Sequence, residues 1–231
     1  MNGGPSVDRE AWRERLWAGV RELGLALTPD QGNRLLDYLA LLQRWNRVYN
    51  LTAVRAPAQM LTHHLLDSLA VVGPLQRYAD GRALRLLDVG SGGGLPGVVV
   101  AITCPALTVH CVDAVAKKAT FVRQVAVQLG LRNLQGVHAR IETLRAGEAG
   151  DGYDIVCSRA FASLADFTAW SRAALNPGGI WMAMKGRHPA EEIAALPSDV
   201  AVFHVEPVVV PGLDAERCIV WMRPAASAAR P

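Results

Sequence analysis

The chain has 231 residues, 51% apolar and 19% charged, with a formal net charge of +3. That suffices for one buried core with a modest extension, and nothing in it suggests two independent domains. Its four cysteines make no CxxC pair and its six histidines no HExxH set, which argues against structural zinc. The N-terminus lacks a charged-then-apolar leader, and no run of about 18 apolar residues exists to span a membrane. A reduced, cytoplasmic, metal-free protein is expected. The modest positive charge is compatible with nucleic acid without demanding it.

In chain order, Thr28-Pro29-Asp30-Gln31 combines an N-cap, a proline at the first helical position and a capping-box glutamine. Leu35, Leu39, Leu42 and Trp45 then recur at helical spacing, predicting a helix of about 17 residues that ends near Asn46. Pro57 begins another, with Leu61, Leu65, Leu69 and Val72 on one face. Residues 1–80 are therefore expected to form a helical extension packed on the main sheet.

Beyond residue 83 the pattern alternates. Strands are predicted at 84–89, 107–112, 134–139, 153–158 and 180–185, and helices at 95–103, 114–129 and 164–175. Asn176-Pro177-Gly178-Gly179 reads as the turn before the fifth strand. Apolar runs at 201–210 and 217–223 close the sheet as an antiparallel pair. This predicts an α/β fold, a mainly parallel sheet covered by helices on both faces, within residues 81–223. Residues 224–231 read as a disordered tail.

The most informative stretch is Leu86-Leu87-Asp88-Val89-Gly90-Ser91-Gly92-Gly93-Gly94-Leu95-Pro96-Gly97, a buried strand entering a glycine-rich turn and a helix. Gly92-x-Gly94-x-x-Gly97 satisfies a dinucleotide pattern, in which pyrophosphate sits on the helix N-terminus. Asp88 favours S-adenosylmethionine instead, because a carboxylate repels pyrophosphate but attracts an ammonium or sulfonium. Asp88 capping the turn is the plainer alternative. Ligands of such sheets sit at the carboxyl ends of the strands. That rule nominates Asp113 for the ribose hydroxyls, Ile141 and Glu142 for the adenine, and Ser158 and Arg159 beside the reacting centre. Asp113 is also an ordinary N-cap candidate.

Several blocks then coincide with a known pattern. They are Trp45 to Thr52, His64 to Leu69, Asp88 to Gly97, Lys117-Lys118, Phe121 to Val125, Ser158 to Ala162, Met184-Lys185-Gly186 and Glu216-Arg217. On these blocks, from Leu35 to Arg223, the chain resembles the RsmG family, also called glucose-inhibited division protein B. Its members are S-adenosylmethionine-dependent methyltransferases acting on guanine N7 in bacterial 16S ribosomal RNA. The resemblance implies a Rossmann-like class I methyltransferase fold with Gly90, Leu95, Ile141, Glu142 and Arg159 as cofactor contacts, to which the turn adds Asp88 and Gly92. Ala114, where the family often has serine, and Ile141, where valine is common, depart from the pattern.

Guanine N7 carries an in-plane lone pair and no proton, so its methylation needs no general base. Orientation is then the main catalytic resource. Arg159 is expected to orient a carboxylate, a phosphate or guanine O6, and Phe161 to stack on a splayed base or to pack as a core ring. Lys117, Lys118, Arg123 and Lys185 are assigned to RNA phosphates. The partner would be 16S rRNA, free or within the 30S subunit, bound by a monomer. A small-molecule methyltransferase and a non-catalytic RNA-binding module with a cofactor fold remain as alternatives.

Overall fold

The computed structural model describes residues 9–54, 56–146 and 151–225. Helix α1 (Arg9–Glu22) packs on α2 (Pro29–Tyr49). The Gln31 N–H donates to Thr28 Oγ1 at 3.2 Å while the Thr28 N–H donates to Gln31 Oε1 at 2.9 Å. This reciprocal cap satisfies donors that a helix start leaves open. Gln31 Nε2 also donates to Ile102 and Thr103 carbonyls at 3.1 and 3.3 Å, so one side chain closes two helix ends. Helix α2 runs past the expected end at Asn46, because that residue is buried and extends the packed stripe. It stops at Asn50, whose φ of 51° is left-handed and whose N–H donates to the Asn46 carbonyl.

Next come α3 (Pro57–Met60) and α4 (Asp67–Leu69), flanking a π-helical turn, Leu61–Leu66. The single helix predicted from Pro57 is therefore widened in its middle, a feature frequent at functional sites. Helix α5 (Val72–Ala79) leads into the sheet. The strands are β1 (Arg85–Val89), β2 (Thr108–Asp113), β3 (Leu134–His138), β4 (Tyr153–Arg159), β5 (Leu175–Lys185), β6 (Val200–Val208) and β7 (Arg217–Pro224). Their order is β3-β2-β1-β4-β5-β7-β6, with β1 to β5 parallel and β7 antiparallel to both neighbours. Between strands lie α6 (Gly97–Thr103), α7 (Ala116–Gln128), α8 (Leu164–Ser171) and α9 (Ala190–Ala194).

Strand residues alternate between two apolar clusters. Leu86, Cys111, Ile155 and Cys157 join the side chains of α1, α2, α6 and α7, while Leu87, Val112, Val156 and Trp181 join those of α8. Burial on both faces explains why these strands read as apolar runs rather than alternating ones. The N-terminal helices share one core with the sheet, from Trp12 and Leu16 to Ile219 and Trp221.

The structure corrects three expectations. Asn176-Pro177-Gly178-Gly179 is not a turn before a new strand, because β5 runs through it from Leu175. Gly178, at φ 79°, and a register shift opposite Tyr153 and Ile155 absorb the turn chemistry as a bulge. Helix α8 ends at Ser171, and a short 3-10 turn, Arg172–Ala174, replaces its predicted last turn. Pro224, placed in the tail, ends β7, and the Ala225 N–H donates to the Asp199 carbonyl at 2.8 Å. Residues 226–231, the rest of that predicted tail, lie outside the described residues.

One buried contact ties the helical layer to the glycine turn: Tyr38 Oη donates to the Gly93 carbonyl at 2.6 Å. Tyr38→Phe leaves that carbonyl without its partner, and urea unfolding is expected to show a loss of about 1–3 kcal/mol at constant m-value. Equal stability would mean that the turn holds its shape without α2.

Candidate active site

The glycine turn follows β1 at the centre of the sheet. The Gly90 and Ser91 N–H groups both donate to the Val112 carbonyl, at 2.9 and 3.2 Å, which pins the turn to the end of β2. Gly90 adopts φ 66°, and a Cβ there would lie 2.6 Å from Phe161 Cδ2. Only glycine meets both demands.

Above the strand ends lies a two-lobed cleft. The first lobe, about 500 Å³, lies between the turn, from Gly90 to Gly93 with Leu95, and a wall of Leu51, Thr52, His64, Asp67, Arg159 and Arg217. The second, about 480 Å³, is lined by Asp113, Lys118, Ile141, Glu142, Phe161 and Trp170. Gly90 and Ala160 border both lobes. Ala160 has φ 50°, a left-handed conformation that costs a non-glycine residue about 1–2 kcal/mol. Across it, Arg159 lines the first lobe and Phe161 the second.

In the second lobe, Asp113 Oδ2 accepts the Gly92 N–H at 3.1 Å and Oδ1 the Val115 N–H at 2.9 Å. Asp113 is not the N-cap of α7, a position that Val115 takes without a side-chain cap bond; it ties the glycine turn to the segment entering that helix, and its remaining lone pairs can accept hydroxyl hydrogens. Ile141 is buried in a 3-10 turn, Ile141–Thr143, and contributes an apolar wall. Phe161 meets Trp170 and Phe167 edge-on at centroid distances of 5.9 and 6.4 Å. The lobe thus offers hydroxyl acceptors on Asp113 beside an apolar wall, groups suited to a vicinal diol and a flat heterocycle. Phe161 thus packs against two rings while lining the second lobe, the arrangement of the packed ring that its position after β4 also allowed.

In the first lobe, Arg159 Nη1 donates to the His63 carbonyl at 2.8 Å and to Asp67 Oδ2 at 2.9 Å, while Arg217 Nε donates to Asp67 Oδ1 at 2.9 Å. Asp67 has a side-chain exposure of 5% and brings together α4, β4 and β7. His64 Nε2 lies 2.9 Å from Thr52 Oγ1. Burial, followed by the Arg159 charge, pushes the His64 pKa down to about 4, so the ring is neutral. Thr52 is held in turn, its N–H donating to Asn46 Oδ1 at 2.8 Å.

Asp88 requires the largest correction. It is fully buried beneath the turn, lines neither lobe, and Oδ2 accepts the Gly97 N–H at 2.8 Å. A Cβ at Gly97 would fall 2.4 Å from Cys111 Sγ and 2.9 Å from Asp88 Oδ2, so the helix start is pressed onto this carboxyl group. Asp88 fixes the turn from below, and the Coulombic argument that placed it against a cationic ligand does not describe its position. Burial raises its pKa to about 7, against the lowering effects of the Gly97 N–H and Arg159.

Of the residues assigned to RNA phosphates, Lys118 Nζ lies 3.5 Å from Asp113 inside the second lobe. Lys185 Nζ is bound to both Glu192 oxygens at 2.8 and 3.0 Å, and Arg123 Nε donates to the Gly136 carbonyl at 2.8 Å. Lys118 and Lys185 are thus paired with carboxylates of neighbouring elements, whereas Arg123 uses only its Nε and, like Lys117, stays exposed. Sequence reading gave no role to Thr52, His64, Asp67 or Arg217. A carboxylate within the apolar stripe Leu61, Leu65 and Leu69 was the available signal for Asp67.

The raised Asp88 pKa predicts a pH effect. An acid whose folded pKa exceeds its unfolded value destabilises the fold progressively as pH rises from about 4 to about 7, and the loss levels off above that. Asp88→Asn cannot titrate. Denaturation across pH 4–8 should show wild type losing up to about 4 kcal/mol relative to this variant, since each tenfold change in the acid's ionisation constant is worth ~1.4 kcal/mol. Parallel pH profiles would contradict the assignment.

Comparison with known proteins agrees with this geometry. Residues 31–220 match the family model described as rRNA small subunit methyltransferase G. The chain is 61% identical over 228 residues to Ribosomal RNA small subunit methyltransferase G of Acidovorax sp. (strain JS42), covering 95% of this chain and 99% of that one. It is 61% identical over 215 residues to the protein of the same name from Methylibium petroleiphilum, with coverages of 93% and 96%. Among solved structures, 1,6-didemethyltoxoflavin-N1-methyltransferase of Burkholderia thailandensis, with bound S-adenosylhomocysteine, shares the fold at TM-score 0.54 and 17% identity, over 82% of this chain and 90% of that one. TrmN from Thermus thermophilus does so at TM-score 0.53 and 21% identity, over 71% and 53%. With a class I methyltransferase sheet, a cleft that fits the methyl donor and a family match over most of its length, the chain belongs to the rRNA small subunit methyltransferase G family of S-adenosylmethionine-dependent enzymes.

Proposed function

We propose that the protein methylates N7 of a guanine in small-subunit ribosomal RNA by direct in-line transfer. S-adenosylmethionine supplies an electrophilic methyl group on a sulfonium when bound. The observation carrying the reading is the division of labour across the cleft, with a nucleoside lobe around Asp113 and an arginine-rich lobe around Asp67. Asp113 would accept from the ribose hydroxyls, Ile141 and Phe161 would enclose the adenine, and Gly90, Gly92 and Leu95 would form the floor. Glu142, exposed at the rim, would meet the adenine edge.

Arg159 retains guanidinium N–H groups beyond those used on His63 and Asp67, and these suit a carboxylate, a phosphate or guanine O6. A purine N7 attacks through its lone pair and leaves a cationic ring, so the lobe needs neither a proton acceptor nor added positive charge beside that ring. Its side chains suit this: Asp67 is occupied by two arginines and His64 is neutral. Cys157 is fully buried within β4 and has no access to a base. We read residues 81–223 as the catalytic unit and 1–80 as the extension completing its cleft, acting as a monomer in the cytoplasm on free or subunit-bound rRNA.

The test is methyl transfer from labelled S-adenosylmethionine to naked rRNA, to 30S subunits and to a metabolite pool. Label recovered as N7-methylguanine in rRNA is expected. Label confined to small molecules, or none transferred despite RNA binding, would replace this reading. Asp113→Ala is expected to weaken S-adenosylmethionine binding at least tenfold, about 1.4 kcal/mol for the lost hydrogen bonds, and to leave rRNA affinity within about twofold.

A further inference from the structure

With Lys118 and Lys185 paired to carboxylates, the cations left to meet the RNA are the exposed ones without such a partner. Charge along the chain locates them. Residues 38–66 contain three arginines and no Asp or Glu, and residues 114–141 contain five Lys or Arg and none. Residues 188–216 show the opposite, with six Asp or Glu and no Lys or Arg. In the fold these stretches separate. The 114–141 stretch supplies α7 and the edge strand β3, and 188–216 supplies α9 and the other edge strand, β6. The carboxyl half of α2 joins the basic side, where Trp45 meets Phe121 of α7 at a centroid distance of 5.3 Å.

An exposed aromatic group lies on that same side. Tyr49 is 42% exposed at the end of α2, its ring 5.1 Å from that of Trp45, and Val48 beside it is 70% exposed. Arg44, Arg47 and Lys117 are exposed, and among the described residues none of them pairs with a carboxylate. Leu51 and Thr52, next along the chain, already line the first lobe of the cleft.

We infer that the end of α2 and the start of α7 form the RNA-docking face, on which Arg44, Arg47 and Lys117 hold phosphates of an unpaired segment and Tyr49 stacks on one of its bases. Free cations interleaved with an exposed ring are what single-stranded RNA binds, and every base offers a face for stacking. Three of the acids in 188–216 are neutralised by Lys185, Arg172 and Arg77, but the stretch itself supplies no Lys or Arg to hold a phosphate, so the RNA enters from the β3 side and its target guanine reaches Arg159 over the Leu51–Thr52 wall. This inference rests on the proposed rRNA substrate and adds the path by which it arrives.

The test is titration of a 16S rRNA transcript with wild type and variants, alongside S-adenosylmethionine affinity by calorimetry. Arg44→Glu, Arg47→Glu and Lys117→Glu should each weaken RNA binding about tenfold at 0.1 M salt and flatten the salt slope by about one per contact, with methyl-donor affinity unchanged. Tyr49→Ala should lose a similar factor and Tyr49→Phe recover it, while Glu191→Lys on the acidic side stays within about twofold of wild type. Wild-type RNA affinity and salt slope in the reversals would overturn the inference, as would an equal loss of methyl-donor affinity. Losses seen with 30S subunits but not with the naked transcript would show instead that the face meets a ribosomal protein. A wild-type enzyme that neither binds nor methylates rRNA would remove the functional reading as well, a result distinct from normal methylation with insensitive variants.

Discussion

The cleft depends on one buried carboxylate. Asp67 enters from the helical extension and accepts from Arg159 at the end of β4 and Arg217 at the start of β7, both at 2.9 Å. Without it, two guanidinium groups of low exposure would face each other at the strand ends. Removing one partner of such a buried arrangement typically costs 3–5 kcal/mol, even where the intact cluster adds little over an apolar replacement. Its worth therefore lies in specifying position. The site is consequently composite: the sheet supplies the arginines, and the extension supplies the charge that holds them in place.

The extension also shapes the cleft through neutral contacts. Tyr38 holds Gly93, Asn46 holds the Thr52 backbone, and Thr52 meets His64 on the π-helical turn. Tyr38 and Asn46 come from α2, Thr52 from the loop after it and His64 from the π-helical turn, yet all converge on the lobe where transfer would occur. The other lobe takes no residue from the extension: it is built by the ends of β1, β2, β3 and β4, with Lys118 of α7 and Trp170 of α8. This division is what the proposed reaction would use, with the sheet side holding the methyl donor and the added helices framing the acceptor.

Much of this was legible in the residues. Glycines at fixed spacing after an apolar strand located the turn, and Asp113, Ile141, Glu142 and Arg159 fell at strand ends because the parallel topology puts them there. Pairing chemistry was not legible. A lysine in sequence does not show that a glutamate on the next helix is within reach, so Lys185 reads as free until Glu192 is placed beside it. Asp88 illustrates a subtler limit: its position relative to the glycines is that of a ligand-facing residue, but strand alternation turns its side chain under the turn, where it holds Gly97. The bulge at Gly178 was missed because turn residues inside a strand look the same as turn residues between two.

The central claim, that Asp67 sets the position of Arg159 across layers, is tested most directly by a double-mutant cycle of Asp67→Ala and Arg159→Ala read on methyl transfer to 30S subunits. If the pair acts as one unit, the double variant loses little more than either single variant, with a coupling energy of at least about 1 kcal/mol. Losses that add within about 0.5 kcal/mol would mean that Arg159 finds its position without Asp67, and would contradict the account.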